Sequence, residues 1–357
     1  MKPIANEQKG NTMLSISEIA IKAKVSKATV SRALCSNTKD IVKPETRKRI
    51  LEICKTHNYL PMSSARALAS GKTQTIGLVL SDIEKDFASP YLSEIISSLV
   101  FSLKGFNYGL KLIMISPQEN PLKSDEEVLA TLHSRSVDGF VLGSGILGDQ
   151  TLEELKRLEI PALTLYSPSD NPPKEMIHRV GINNAPATLE LVQHLRFCGH
   201  ENVAYIKRRK IERSFRSELF AATARKEGLK SDEIEVSLTK NPIQTISATR
   251  SSISMNWEHL KKYSAWVFEN DLMALGALDI MREKGVTIGR DIAIAGYDNI
   301  EENANYYCER PILTTIAPPR KQLGELTGQL LMELIETPKK VYESRFLLSR
   351  LIVRETT

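Results

Sequence analysis

From Ser26 to Arg32 the chain reads SKATVSR, a run of hydroxyls and cations on short-chained neighbours with a single valine among them. Hydroxyl, ammonium and guanidinium groups donate to phosphate oxygens and base edges, and small side chains let a helix approach a groove floor. Helical spacing turns Val30 and Leu34 inward and leaves Lys27, Ala28, Ser31 and Arg32 outward, with Ser26 placed as the N-cap. A second set lies at the ends of apolar runs: Asp82, Asn183, Asn184, Asn270, Asp271, Asp298 and Asn299. Carboxylates and carboxamides pair with vicinal hydroxyls, so these suit a small polar molecule such as a sugar. Each is also placed to cap the helix that follows, and spacing alone leaves both roles open. For Asp271 and Asn184 capping is the stronger expectation.

The first set needs a helix-turn-helix to hold it. Ile16, Ile19 and Ala20 recur at helical spacing with Ala23 one turn on, and Val25 marks a tight turn before Ser26. A third helix is predicted over 44–57, with Pro44 in its first position and Ile50, Leu51, Ile53 and Cys54 on its inner face. Any small three-helix domain would share this spacing, so charge distinguishes the cases. Residues 1–72 hold 14 Lys and Arg against 5 Asp and Glu, while the remainder holds 34 against 38, for a total of +5. The basicity is confined to the helix-turn-helix region, as a head that neutralises phosphates requires. The segment that follows, NYLPMSSARALASGKTQT, reads as a linker. Its SSARALA stretch is barely two turns and becomes helical only when something supports it.

The second set needs parallel sheets. Beyond residue 74 apolar strands (75–82, 110–116, 137–144, 161–167, 179–184, 202–208, 264–270, 291–299) alternate with helices (91–104, 124–135, 151–158, 185–197, 214–228, 271–284). Such alternation implies sheets covered on both faces, and two successive sets imply two similar lobes. In these sheets ligands sit beyond the carboxyl ends of the strands.

Other classes fit less well. Nothing approaches 18 uninterrupted apolar residues, and the opening MKPIANEQKGNTM lacks the apolar core of an export signal. It reads as a disordered lead-in, with Met13 available as a start. Cys35, Cys54, Cys198 and Cys308 show no C-x-x-C spacing and fit a reduced cytosol. His194, Cys198 and His200 lie close in sequence, but Gly199 looks like a helix C-cap that would turn them apart. No phosphate-binding loop, nucleophile elbow or dinucleotide fingerprint occurs, so neither an enzyme nor a cofactor is expected.

From about Leu14 to its end the chain resembles the LacI/GalR family of transcriptional regulators. VSKATVSRAL matches the family's recognition helix almost letter for letter, and YLPMSSARALASGKTQTIGLV resembles its hinge and first core strand. SRSVDGFVL, ENDLMALGAL, IAGYDN and RPILTTI follow in the family's order. The resemblance implies an all-α helix-turn-helix DNA-binding head (14–60) behind a lead-in (1–13), a hinge helix or linker (61–73) and a core (74–357). That core would be α/β, periplasmic-binding-protein-like, with two parallel-sheet lobes. The N-lobe would span about 74–178 and 309–336, the C-lobe about 179–308 and 337–357.

It further implies a cytoplasmic homodimeric repressor that binds near-palindromic double-stranded operator DNA, with no membrane partner. A small effector would switch its affinity, a sugar first and a purine or other metabolite second. A solute-binding protein would share the core but should carry an export signal and no basic head. Lys27 and Ala28 match two base-choosing positions and Arg32 a third, while Ser26, Thr29 and Ser31 match phosphate or base-edge contacts. Leu68 matches a leucine that wedges between base pairs, with Ala65 beside it. In the core, Arg216, four residues before Phe220, matches an arginine that grips effectors. Asn270 and Asp298 match a polar pair that receives them, and Tyr91 an aromatic lining the same cleft, to which Asp82 also belongs.

Departures are few. Lys24 replaces a turn glycine, at roughly 1 kcal/mol if its φ is positive. Lys43 replaces a polar cap, and Met62 a hinge asparagine. Segment 82–90 is longer than usual, Asn183 and Tyr166 stand where aspartates are common, and Leu219 replaces a glycine. These changes leave the DNA function secure and the effector open.

Overall fold

The structure is a computed structural model. It describes residues 14–34, 41–59, 71–80, 89–115, 125–143, 147–165, 177–209, 214–237, 244–303, 309–338 and 341–357. The chain divides into two compact units between Thr73 and Gln74.

The first unit contains α1 (Ile16–Ala23), α2 (Lys27–Leu34) and α3 (Pro44–Thr56). A capping box starts α1: Ser15 Oγ accepts from the Glu18 amide, and Glu18 Oε2 accepts from the Ser15 amide at 2.7 Å. Those bonds to Ser15 hold the Glu18 carboxyl below its ordinary range. Lys24 ends α1 with φ 54°, the left-handed conformation expected where a glycine would be at ease. Ile19, Ala23, Val30, Ala33 and Ile50 form a fully buried centre. Leu51, expected inside, is 38 % exposed, because the inner face of α3 runs through Ile50 and Cys54, four residues apart. Ala33 lies one turn from Val30 and takes the remaining space. Lys43 makes no side-chain cap, and Pro44 opens α3.

Among the described residues the second unit holds two six-stranded sheets. The first contains β1 (Thr75–Leu80), β2 (Gly109–Met114), β3 (Gly139–Leu142), β4 (Ala162–Thr164), β5 (His178–Asn183) and β11 (Ser344–Leu348). Its order is β11-β5-β4-β3-β1-β2, all parallel. Helices α4 (Pro90–Gly105) and α12 (Arg320–Glu336) cover one face, and α5 (Glu126–His133) and α6 (Asp149–Arg157) the other. A side chain at Gly324 would strike the Ile95 carbonyl. That glycine lets α12 lie close against α4.

The second sheet contains β6 (Asn202–Arg208), β7 (Lys230–Val236), β8 (Ala265–Phe268), β9 (Ala293–Tyr297), β10 (Thr314–Ala317) and β12 (Arg350–Ile352). Its order is β12-β10-β9-β8-β6-β7, parallel except for β12 against β10. Helices α7 (Ala185–Phe197) and α8 (Phe215–Lys226) pack on one face. On the other lie α9 (Thr245–Met255), α10 (Trp257–Leu260) and α11 (Asp271–Glu283).

The lobe boundaries differ from expectation. Residues 179–183 were assigned to the C-lobe, yet β5 pairs with β4 and β11 in the first sheet. Residues 314–317 were assigned to the N-lobe, yet β10 pairs with β9 in the second. Residues 344–348 were placed in the C-lobe, yet β11 lies in the first sheet. The chain therefore crosses between lobes after β5, after β10 and between β11 and β12. Ser349 pins two crossings together, its amide donating to the Asn183 carbonyl and its Oγ to Asn184 Oδ1 at 2.6 Å. Asn184 accordingly makes no side-chain cap on α7. The expected parting of the His194–His200 group is seen only in part: His200 turns away to bond Ser264 Oγ, past Gly199 with φ +86°, but His194 Nε2, which bonds Thr357 Oγ1, also lies 3.8 Å from Cys198 Sγ one helical turn on. Among the described residues no helix is long and apolar enough to cross a membrane, and no group of three His, Cys, Asp or Glu is placed to hold a metal.

Candidate functional site

In the head, Ser26 caps α2: its Oγ accepts from the Thr29 amide at 3.1 Å and bonds Thr29 Oγ1 at 2.9 Å. With Val30 and Ala33 turned into the core, Ser26, Lys27, Ala28 and Arg32 are exposed and Thr29 and Ser31 half-buried along one side. Arg47 Nε donates to the Ala33 carbonyl, tying α3 to the end of α2. The result is a capped helix, tied to α3, with a short-chained, basic outer face. Ala65, Leu68 and Met62 lie outside the described residues.

In the core, Arg216 sits in the first turn of α8, and the end of β8 aims it. Ser214, buried ahead of α8, donates to Glu269 Oε1 at 2.8 Å, and the Arg208 amide donates to Glu269 Oε2. Arg216 Nη1 donates to the Glu269 carbonyl and Nη2 to Asp298 Oδ1, both at 2.8 Å. Its guanidinium lies 5.1 Å from the Tyr297 ring centroid, a cation–π distance. Burial works against the Arg216 charge, but the Asp298 carboxylate more than compensates and its pKa stays above the usual value.

Asp298 and Asn299 have φ of 106° and 52°, strained for side-chain-bearing residues. Their surroundings hold them there. The Asp298 amide bonds the Ile316 carbonyl, and the Asn299 amide bonds Thr315 Oγ1. Arg354 Nη2 grips Asn299 Oδ1 at 2.7 Å. Asp271 braces the same turn, accepting from Thr315 Oγ1 at 2.8 Å and from the Ile300 amide at 3.0 Å. Burial first, and Asp298 second, push the Asp271 carboxyl well above its ordinary range. A side chain at Gly296 would collide with that carboxylate.

The capping expectations are thus redistributed. Asn270 is the cap of α11, its Oδ1 accepting from the Met273 amide at 3.1 Å, and Asp271 is the buried brace. Tyr91, in the first turn of α4, brings in the other lobe. Burial pushes its hydroxyl up to about 12; Asp298 adds to the shift, and Arg216 and Arg320 oppose it. Tyr91, Arg216 and Asp298 therefore share one region, whereas Asp82 and Tyr166 lie outside the described residues.

Sequence reasoning missed three neighbours. Arg320 Nε and Asn303 Nδ2 both donate to Glu94 Oε2, at 2.7 and 2.8 Å, and Asn303 Nδ2 also reaches the Pro90 carbonyl at 2.7 Å. These bonds join the turn after β9 in one lobe to α4 and α12 in the other. Glu94 was legible in principle, one helical turn beyond Tyr91.

Residues 15–62 match the model described as bacterial regulatory proteins, lacI family, and residues 192–357 match a periplasmic binding protein-like domain. The regulator RegA of Clostridium acetobutylicum is 29 % identical over 324 residues, covering 90 % of this chain and 92 % of RegA. The solved Lac repressor dimer bound to operator and the anti-inducer ONPF superposes with TM-score 0.78 at 24 % identity, covering 96 % of this chain and 99 % of that one. The regulator CelR in complex with cellobiose gives 0.64 at 24 % identity, over 96 % and 100 %. With the head, the two-lobed core and these matches together, the chain belongs to the lacI family of DNA-binding transcriptional regulators.

Proposed function

We propose that this regulator acts as a homodimeric repressor whose operator affinity is switched by a small polyhydroxylated ligand, a sugar, held between the lobes of its core. The Arg216–Asp298 pair carries the reading. A planar fork of donors at the start of α8 meets a carboxylate acceptor on a braced, strained turn, and the Tyr91 hydroxyl, from the other lobe, feels both charges. That set matches adjacent hydroxyls and suits a bulky apolar ligand poorly. The CelR–cellobiose complex, of the same fold, is consistent with it.

In the head, Ser26, Lys27, Ala28, Thr29, Ser31 and Arg32 read each operator half-site, and Leu68 with Ala65 enters the minor groove between them. A gel shift with genomic fragments should recover a near-palindromic site. Leu68→Ala should then reduce both the bend angle and the specific affinity while sparing salt-dependent non-specific binding. An unchanged bend in that variant would remove the wedge from the account.

A further inference from the structure

Arg320 opens α12 and is 6 % exposed, yet its hydrogen bonding is incomplete. Nε donates to Glu94 Oε2 and Nη2 to the Asn299 carbonyl at 3.4 Å, whereas Nη1 is buried with no hydrogen-bond partner among the described residues. An unmet guanidinium donor is costly inside a protein, and each such group calls for a partner that completes it. The surroundings indicate which partner. Asn299 adjoins Asp298, Glu94 lies one turn beyond Tyr91, and the Tyr91 hydroxyl responds to Arg216, Asp298 and Arg320 together. Arg320 therefore lies among the groups of the proposed cleft.

Charge narrows the ligand further. Arg216 is already paired with Asp298 at 2.8 Å and Arg320 with Glu94 at 2.7 Å. An anionic ligand would have to break one pair and strand its carboxylate in a poorly solvated site. A hydroxyl or ring oxygen completes Nη1 and leaves both pairs intact. We propose that Arg320 is a specificity-determining residue of the cleft, donating through Nη1 to an oxygen of an uncharged polyhydroxylated ligand, and that its pairing with Glu94 excludes phosphorylated and carboxylated counterparts. This rests on the cleft assigned under the proposed function.

The test is calorimetry on the full-length protein with D-ribose, D-galactose and cellobiose, each against a charged counterpart: ribose 5-phosphate, galacturonate and cellobionate. At least one neutral sugar should bind, and its counterpart should bind at least about 10-fold more weakly, the size of one unmet buried hydrogen bond to a charged group. Binding of no neutral sugar, or a counterpart that binds as tightly, overturns the proposal. For the sugar that binds, Arg320→Gln should weaken Kd by about 10- to 100-fold. Glu94→Gln, which leaves the Arg320 charge unpaired, should shift preference towards the charged counterpart. A mere loosening of the lobes would weaken both ligands alike. If Arg216→Gln loses the sugar while Arg320→Gln and Glu94→Gln keep the parent's Kd and preference, the role of Arg320 fails and the cleft stands. If Arg216→Gln also binds as the parent does, the cleft itself is wrong.

Discussion

Lys27 and Arg32 occupy the exposed side of α2, and their side chains differ in what they can read. A planar guanidinium can donate in pairs to a guanine edge, whereas an ammonium is a point charge. Arg32→Ala should cost roughly 1–3 kcal/mol at the preferred operator and relax one base position. Lys27→Ala should change which base is preferred at another. Binding to a panel of single-base operator variants checks both, and equal losses on every sequence would reduce the two residues to electrostatics. Asp271 makes a different expectation. Its folded-state pKa lies above the unfolded value, so the native state binds the extra proton and is favoured below about pH 4, the unfolded carboxyl range. That contribution is lost as pH rises through the folded pKa. The stability difference between parent and Asp271→Asn should therefore move in favour of the variant as pH rises from the acid range, measured by urea unfolding at several pH values. A difference independent of pH would mean that Asp271 does not titrate between the two states.

At the scale of elements, local periodicity carried far. The predicted helix 185–197 and strand 202–208 are found with the same bounds as α7 and β6. Strand β7 escaped because KSDEIEV stands at the edge of the described sheet beside β6 and keeps charged side chains in solvent, so no apolar run marks it. The lobe crossings escaped for another reason: which sheet a strand joins is decided by pairing with distant strands, and β5, β10 and β11 look alike locally. The same holds in the site. The candidates Arg216, Asn270, Asp298 and Tyr91 stand in recognisable motifs, whereas Arg320 and Glu94 meet through the packing of α12 on α4 and Asn303 reaches Glu94 from the turn after β9. Lys24 was legible as a strained turn, and that has a consequence for the head. Lys24→Gly should stabilise it by about 0.5–1 kcal/mol, since glycine adopts φ 54° without the Cβ penalty. Thermal unfolding of the full chain, followed by a head-specific probe, checks this; a lower transition would show that the turn favours lysine.

For the whole molecule, the proposed cleft matters because its candidate residues come from both lobes. Tyr91, Glu94 and Arg320 stand on elements of the first sheet, and Arg216, Asp298 and Asn303 on elements of the second. Asn303 already bridges from one lobe to Pro90 and Glu94 in the other. A ligand there makes contacts that depend on how the lobes are arranged, which is the differential interaction any switch needs. Such couplings are typically worth about 1–3 kcal/mol. Anisotropy of a labelled operator, titrated with full-length protein with and without the sugar identified by calorimetry, reads that coupling as a ratio of two dissociation constants. The parent should shift its operator affinity by about 5- to 150-fold, and an Arg216→Ala variant that still binds operator should show no shift at the same sugar concentration. A full shift in that variant would contradict the account.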